Sequence, residues 1–349
     1  MHLLRLSPTV VLMTGTFLAT FLPHQINAQP ATLERATRGT NPAVSAAEAF
    51  LATLDGPARA KAIFPFDNAE QRKRWSNLPT GIYKRAGLRL GDLSRPQRDA
   101  ALAFLASVLS PAGYQKVIGI MEGDELLTKN APGGNIVFGR DEYYLSFLGA
   151  PSAQNPWLIQ FGGHHLALNI TFVGDKGTLA PSHTAAQPAK FTWEGRTIRP
   201  LGAENDLSFE LINALDDSQR KQAILGSEFR DLVLGPGQEG KKIVPEGVKV
   251  STFTAKQRAL LTDLIQQWVG ILNADTAAPR MSEIKSGLGE TWFAWSGPTT
   301  PGSAAYFRIQ GPTLFIEYSP QRLGGDATQH IHTMYRDFSN EFGAKWLKP

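Results

Sequence analysis

The 349-residue sequence contains no cysteine. That absence excludes disulfide staples, thiolate nucleophiles, thiolate metal ligands and iron–sulfur clusters, and leaves any chemistry to His, carboxylates, hydroxyls, Lys, Arg, Met or a bound cofactor. Charge of one sign is also scarce, because 35 Lys and Arg stand against 31 Asp and Glu, for a net charge of +4. The basic residues are scattered rather than clustered, which argues against nucleic acid as a partner. Beyond the first thirty residues no apolar run approaches the roughly 20 residues of a membrane span, so stable membrane insertion is not expected.

The first residues have the order of a secretory signal: a start with one positive charge at Arg5, an apolar stretch over 10–22, and Ala28 before a polar segment. Pro8 and Gly15 interrupt the stretch and argue against a permanent anchor. Cleavage after Ala28 is expected, giving a periplasmic or secreted product. That product, residues 29–349, carries 34 basic and 31 acidic residues. Residues 29–43 are polar, rich in Pro, Thr, Gly and Asn and without periodicity, and read as a flexible lead. Residues 44–349 then form one large domain, within which 44–128 can make a helical lobe.

Helical periodicity dominates the start of that domain, in SAAEAFLATL, AEQRKRW and the amphipathic run over 96–109, and no strand is evident before residue 128. From Tyr143 the pattern changes to short β-rich runs: YYLSF, WLIQF, HLALNITFV and FTWEGRTI. Two helical stretches interrupt them, LSFELINAL with SQRKQAILGS, and AKQRALLTDLIQQWVGILN. Strands resume at TWFAWSG, AYFRIQG and TLFIEYS, the last two joined by a Gly-Pro turn suited to a hairpin. The expected class is α+β: a helical N-terminal part packed on a largely antiparallel sheet with inserted helices.

One motif occurs three times before a helical pattern, as Ser94-Arg-Pro-Gln97-Arg98, Asp216-Asp-Ser-Gln219-Arg220 and Thr254-Ala-Lys-Gln257-Arg258. Its spacing fits a capping box, in which a Ser, Asp or Thr N-cap and the Gln three residues on satisfy each other's backbone N–H groups. The surrounding residues repeat at no fixed period, which favours capping over internal duplication.

Only five histidines follow Ala28, namely His164, His165, His183, His330 and His332. In HIHTMYRD an extended chain sends His330 and His332 to the same face, a common way to present two imidazoles to one metal ion. In GGHHLALNITF the same alternation sends His164 and His165 to opposite faces if the strand is regular. His165, which shares its face with Asn169, is then the better ligand, although Gly162-Gly163 can support a bulge that re-aims His164. Glu317 in TLFIEYS and Asp337 just beyond the H-x-H pair are candidate assisting carboxylates. Such a nitrogen- and oxygen-rich set suits Zn or Cu most, with Ni and non-haem Fe also compatible, and Met334 on the H-x-H face adds weight to copper. The plainer alternative gives the histidines hydrogen bonds in a tightly turned β region.

Other features point less far. Trp292 and Trp295 lie on opposite faces of one strand, so one is core and the other can stack on a planar ligand. The loop LGPGQEGKK lacks phosphate-loop spacing and reads as a turn. Ser182-His183, read as part of a Pro-bounded loop, has no nucleophile elbow and is a poor basis for serine hydrolysis.

The segments GRDEYYLSFLGAPS, WLIQFGGHHLALNITF, RPLGAENDLSFELINALDDSQRKQAIL, TWFAWSGP and HIHTMYRDFSNEFG resemble a broad family of exported bacterial and fungal proteins classed as a domain of unknown function. Its most recognisable elements, G-G-H-H-L-A-L-N and H-I-H-T-x-Y-R-D, are both intact. The resemblance implies that His164, His165, His330, His332, Tyr335, Arg336 and Asp337 belong to the family's hallmark segments, and it brings no reaction with it. The residues point to an exported protein with a His-based transition-metal site, for binding or delivery, whose partner is a metal ion or a small molecule. A metal-dependent hydrolase or other metalloenzyme is the first alternative, and a module that binds an organic ligand without metal is the second.

Overall fold

A computed structural model describes residues 41–128, 135–323 and 325–347. The expected signal segment and most of the expected lead, up to residue 40, lie outside the described residues. The first half of the chain forms α1 (Pro42–Ala52), α2 (Gly56–Ala62), β1 (Ile63–Phe64), α3 (Ala69–Arg72), β2 (Leu88–Arg89), α4 (Arg95–Val108) and α5 (Pro111–Thr128). The strands β3 (Tyr144–Leu148), β4 (Trp157–Gly163), β5 (Leu166–Val173) and β6 (Lys176–Ala186) follow. After a small separate hairpin of β7 (Phe191–Trp193) and β8 (Arg196–Ile198) come α6 (Gly202–Ala214), α7 (Asp217–Ala223), β9 (Val248–Lys249), α8 (Ala255–Val269) and α9 (Ala274–Ser286). The chain closes the sheet with β10 (Trp292–Ser296), β11 (Tyr306–Gln310), β12 (Leu314–Pro320) and β13 (Ile331–Asp337).

Eleven strands make one sheet in the order β1-β3-β4-β5-β6-β13-β12-β11-β10-β9, with β2 also paired to β3. All pairings within it are antiparallel except β1 with β3. The fold is α+β, as the alternation of strand and helix patterns requires. Among the described residues no helix is long and apolar enough to cross a membrane.

Side chains alternate across the strands, and the two sheet faces are covered differently. On one face Phe147, Ile159 and Leu168 pack with Phe50 and Phe104 of α1 and α4, while Phe307, Ile316 and Tyr335 pack with Leu264 and Trp268 of α8. On the other face Leu148, Leu158, Ala167 and Met334 meet Trp75 and Phe342 under loops.

The element order occurs twice. The succession α1, α2, β2, α4, α5, β3 to β6 is matched by α6, α7, β9, α8, α9, β10 to β13. The parallel pairing of β1 with β3 has its counterpart in a parallel bridge between Ile224 and Trp295. Details repeat as well: Gln97 donates to the Thr53 carbonyl at the end of α1, and Gln257 donates to the Ala214 carbonyl at the end of α6. The halves meet through β6 and β13, with Ser182 opposite Tyr335, and through a bridge between Leu109 and Leu272. Duplication is therefore present where the sequence suggested only capping. Capping is present too: Gln219 and Gln257 bond the N–H groups of Asp216 and Thr254 at 3.1 and 2.8 Å, and Gln97 that of Ser94 at 3.0 Å. No fixed period appears in the sequence because the two copies are separated by loops and by the β7–β8 hairpin.

Three other expectations are corrected. The first 128 residues do contain strands, but β1 and β2 have two residues each, too short to leave a periodic signature. Helix α9, with Pro279 inside it, was not anticipated. The stretch around Ser182-His183 is not a loop but the eleven-residue β6 at the centre of the sheet. Pro181 masks it in sequence, since proline withholds a ladder donor. A register shift between Leu168 and Ile170 on β5 accommodates that position, and the Asn169 amide there donates to the Pro181 carbonyl at 2.9 Å.

Candidate metal centre

His164 and His165 are not on a strand. Gly163 of β4 pairs with Leu166 of β5, so the two histidines are the tight turn between those strands. His165 takes a φ of 64°, a conformation tolerated by few side chains and used here to close the turn. The preceding glycines serve close approach rather than a bulge: a Cβ on Gly163 would lie 2.8 Å from the Tyr143 ring, and one on Gly162 only 2.5 Å from the Leu166 carbonyl. Because a turn does not obey strand alternation, both imidazoles lie together, stacked with ring centroids 3.6 Å apart. The Tyr143 hydroxyl donates to the His164 carbonyl at 2.8 Å, and the His165 N–H donates to Asn77 at 3.1 Å, which fixes the tip.

The start of β13 approaches this turn. His332 is on the strand and His330 just precedes it, and their Nε2 atoms are 3.0 Å apart, as expected of an H-x-H pair on one face. His165 Nε2 lies 3.1 Å from His330 Nε2. These three nitrogens are one group of mutually close donors, and Asp124, His164 and His165 form a second. All the residues of both groups are buried.

The remaining ring nitrogens are held from behind. His330 Nδ1 lies 2.7 Å from the Leu323 carbonyl, which can only accept, so Nδ1 carries the proton and Nε2 presents its lone pair. His332 Nδ1 faces Asp231 at 3.4 Å, and His164 Nδ1 donates to Asp124 at 2.6 Å. A carboxylate or carbonyl behind an imidazole is the usual way to orient a metal ligand and fix its tautomer. Burial, reinforced by the neighbouring imidazoles, holds His165 well below the ordinary histidine range and lowers His330 to about 4. Both are neutral imidazoles near pH 7, the state that binds a metal.

Of the carboxylates expected here, neither Glu317 nor Asp337 enters these groups. Glu317 faces the same side of the sheet as His332, but it accepts the N–H groups of Val233 and Leu234 at 2.8 Å each and the Tyr306 hydroxyl at 2.7 Å. Its work is to hold the segment that carries Asp231, which Arg336 also grips through the Leu234 and Gly235 carbonyls. Asp337 is at the other end of β13, on the opposite face, bonded to Ser339 and 3.3 Å from Arg280. Asp124 and Asp231 supply the carboxylates instead, and no sequence spacing marks either.

His183 also joins the cluster. It lies on β6 opposite Met334, its ring 5.3 Å from that of His332, and neither ring nitrogen has a partner. All five histidines after Ala28 thus gather at one place, and Met334, with its side chain in the loop-covered apolar cluster, borders them. Trp295 is core and Trp292 half-buried. The largest cavity, about 410 Å³, is elsewhere, between Lys176, Arg280, Tyr335 and Asp337.

Residues 36–344 match the family described as protein of unknown function (DUF3500). The chain belongs to this family. No curated protein and no solved structure matches it. In this member of DUF3500 the histidine cluster draws on both hallmark segments, GGHHLALN and HIHTMYRD, which are about 160 residues apart in the chain and meet because β5, β6 and β13 are neighbours.

Proposed function

We propose that the protein binds one divalent transition-metal ion through Nε2 of His165, His330 and His332, with Zn or Cu the best-suited ions. The observation that carries this reading is the crowding at His330 Nε2. That atom has one lone pair, yet two other imidazole nitrogens stand 3.0 and 3.1 Å from it. A single proton can link only one such pair, whereas an ion about 2.0–2.1 Å from each nitrogen spaces its ligands by about 2.9–3.4 Å and accounts for both. Three neutral imidazoles with no thiolate favour Zn or Cu(II).

Three protein ligands leave a coordination position for water or an exogenous group, the arrangement of catalytic rather than closed structural sites. The Asp124–His164 couple, stacked on a ligand, favours the metalloenzyme reading as the second possibility beside binding or delivery. The order of charge, apolar stretch and small residue in the first 28 residues supports a periplasmic or secreted location.

The test is elemental analysis of protein purified without a His tag, beside the double variant His330→Ala/His332→Ala. Near-stoichiometric metal in the parent and none in the folded variant is the expected outcome. A parent that takes up no Zn, Cu or Ni after incubation would overturn the proposal.

A further inference from the structure

The described residues expose few large apolar side chains, and most of those gather at the histidine cluster. Leu78, Ile82 and Val137 are 42, 55 and 41 % exposed, and Leu323 is 83 % exposed. The first three belong to the segments that hold the β4–β5 turn. Asn77 accepts the His165 N–H, Arg85 ties the Ser76, Leu78 and Gly163 carbonyls together, and Val137 donates to Thr80. Next to Val137, Phe138 has its ring 4.9 Å from that of His164. On the other flank, Leu323 supplies the carbonyl behind His330 while its side chain stands in solvent. Exposed aliphatic residues placed on both flanks of one polar centre are the signature of a ligand surface, since scattered exposure would distribute them evenly.

We infer that the centre takes an amphipathic small molecule, with an anionic oxygen head at the metal and an aliphatic body against Leu78, Ile82, Val137 and Leu323. This rests on the three-imidazole metal site proposed above. A divalent ion held by neutral imidazoles keeps its full charge and attracts an anionic donor, while the rim offers only apolar contact beyond it. A monocarboxylate with a medium-length chain has both parts.

Cobalt-loaded protein provides the readout, because its visible absorption changes when a carboxylate enters the coordination sphere. Titration with octanoate and with acetate is expected to show octanoate binding at least about tenfold tighter, the effect of burying about two methylenes. Ile82→Ser/Leu323→Ser should remove most of that preference, and Val244→Ser, an exposed apolar side chain beside the carbonyl-to-Gln310 contact of Ile243, should not. Equal affinities for the two acids, or a preference insensitive to the rim substitutions, would overturn this inference and leave the metal site standing. Failure to form any cobalt spectrum would instead remove the metal site, and this inference with it.

Discussion

The two halves of the molecule share their order of elements and differ in what they place beside their equivalent turns. In the first half the β4–β5 turn is His164-His165, and it meets His330 and His332 where β13 begins. In the second half the β11–β12 turn is Pro312-Thr313, and Arg280 of α9 occupies its flank. The guanidinium reaches the Thr313 hydroxyl, the Thr313 carbonyl and the Tyr335 hydroxyl at 3.0 Å each. One end of the central strand pair thus gathers imidazoles with lone pairs directed at one another, and the other gathers a permanently charged donor with its acceptors. The first arrangement lacks a cation and the second contains its own. A repeated scaffold sets where strand ends and turns meet, and the side chains there decide whether the place is a site or a clasp.

The sharpest way to break that comparison is to remove imidazoles from the first half. His165→Ala is expected to lower metal affinity by at least about 100-fold, beyond the range typical of outer-shell changes, with the fold retained, as checked by competition with a chromophoric chelator. If affinity survives, the turn is not part of the centre. Next in size is the second half's clasp. Arg280→Ala leaves Asp337 buried without its cation and should cost about 3 kcal/mol in urea unfolding, with metal content unchanged. Loss of metal in that variant would mean that the two ends are coupled, and the contrast between site and clasp would fail.

How much of this was legible in sequence follows from the range of each signal. Period-two and period-3.6 patterns mark β3, β4, β10, β11, β12, α4 and α8, because each buries one face. The H-x-H pair was readable for the same reason: His330 and His332 are neighbours on one extended segment. The pairing of His164 with His165 was not, since a strand reading of HLALN separates them and only the turn unites them. His183 was hidden by Pro181, and Asp124 and Asp231 reach the cluster through tertiary contacts alone. Glu317 was correctly singled out as an acid in an apolar strand, but the donors that satisfy it, Val233 and Leu234, come from a loop with no pattern to read.

Asp231 offers a smaller and more selective test. It touches only the outer nitrogen of His332, so Asp231→Asn should weaken metal binding by about tenfold, the lower end of outer-shell effects, without abolishing it. Removing the group that holds the segment, by Glu317→Gln, should reproduce the loss in part and also destabilise the protein, because its carboxylate accepts two backbone N–H groups and a tyrosine hydroxyl. A variant that loses stability but no affinity would show that Asp231 finds His332 without that support.

The smallest expected effect compares the equivalent caps of α4 and α8. Thr254 accepts the Gln257 N–H at 3.3 Å while Gln257 bonds back, so both arms of the box are present. At α4 the bond from the Ser94 N–H to Gln97 is present, but the Ser94 side chain makes no cap hydrogen bond. Thr254→Ala should therefore cost about 1 kcal/mol and Ser94→Ala clearly less, measured as the shift in urea midpoint at constant slope. Equal costs would mean that the Ser94 hydroxyl caps α4 in solution, and that the two halves are more alike at their helix starts than their hydrogen bonds indicate. Neither substitution should change metal content, since both caps lie at helix starts and contribute no group to the histidine cluster.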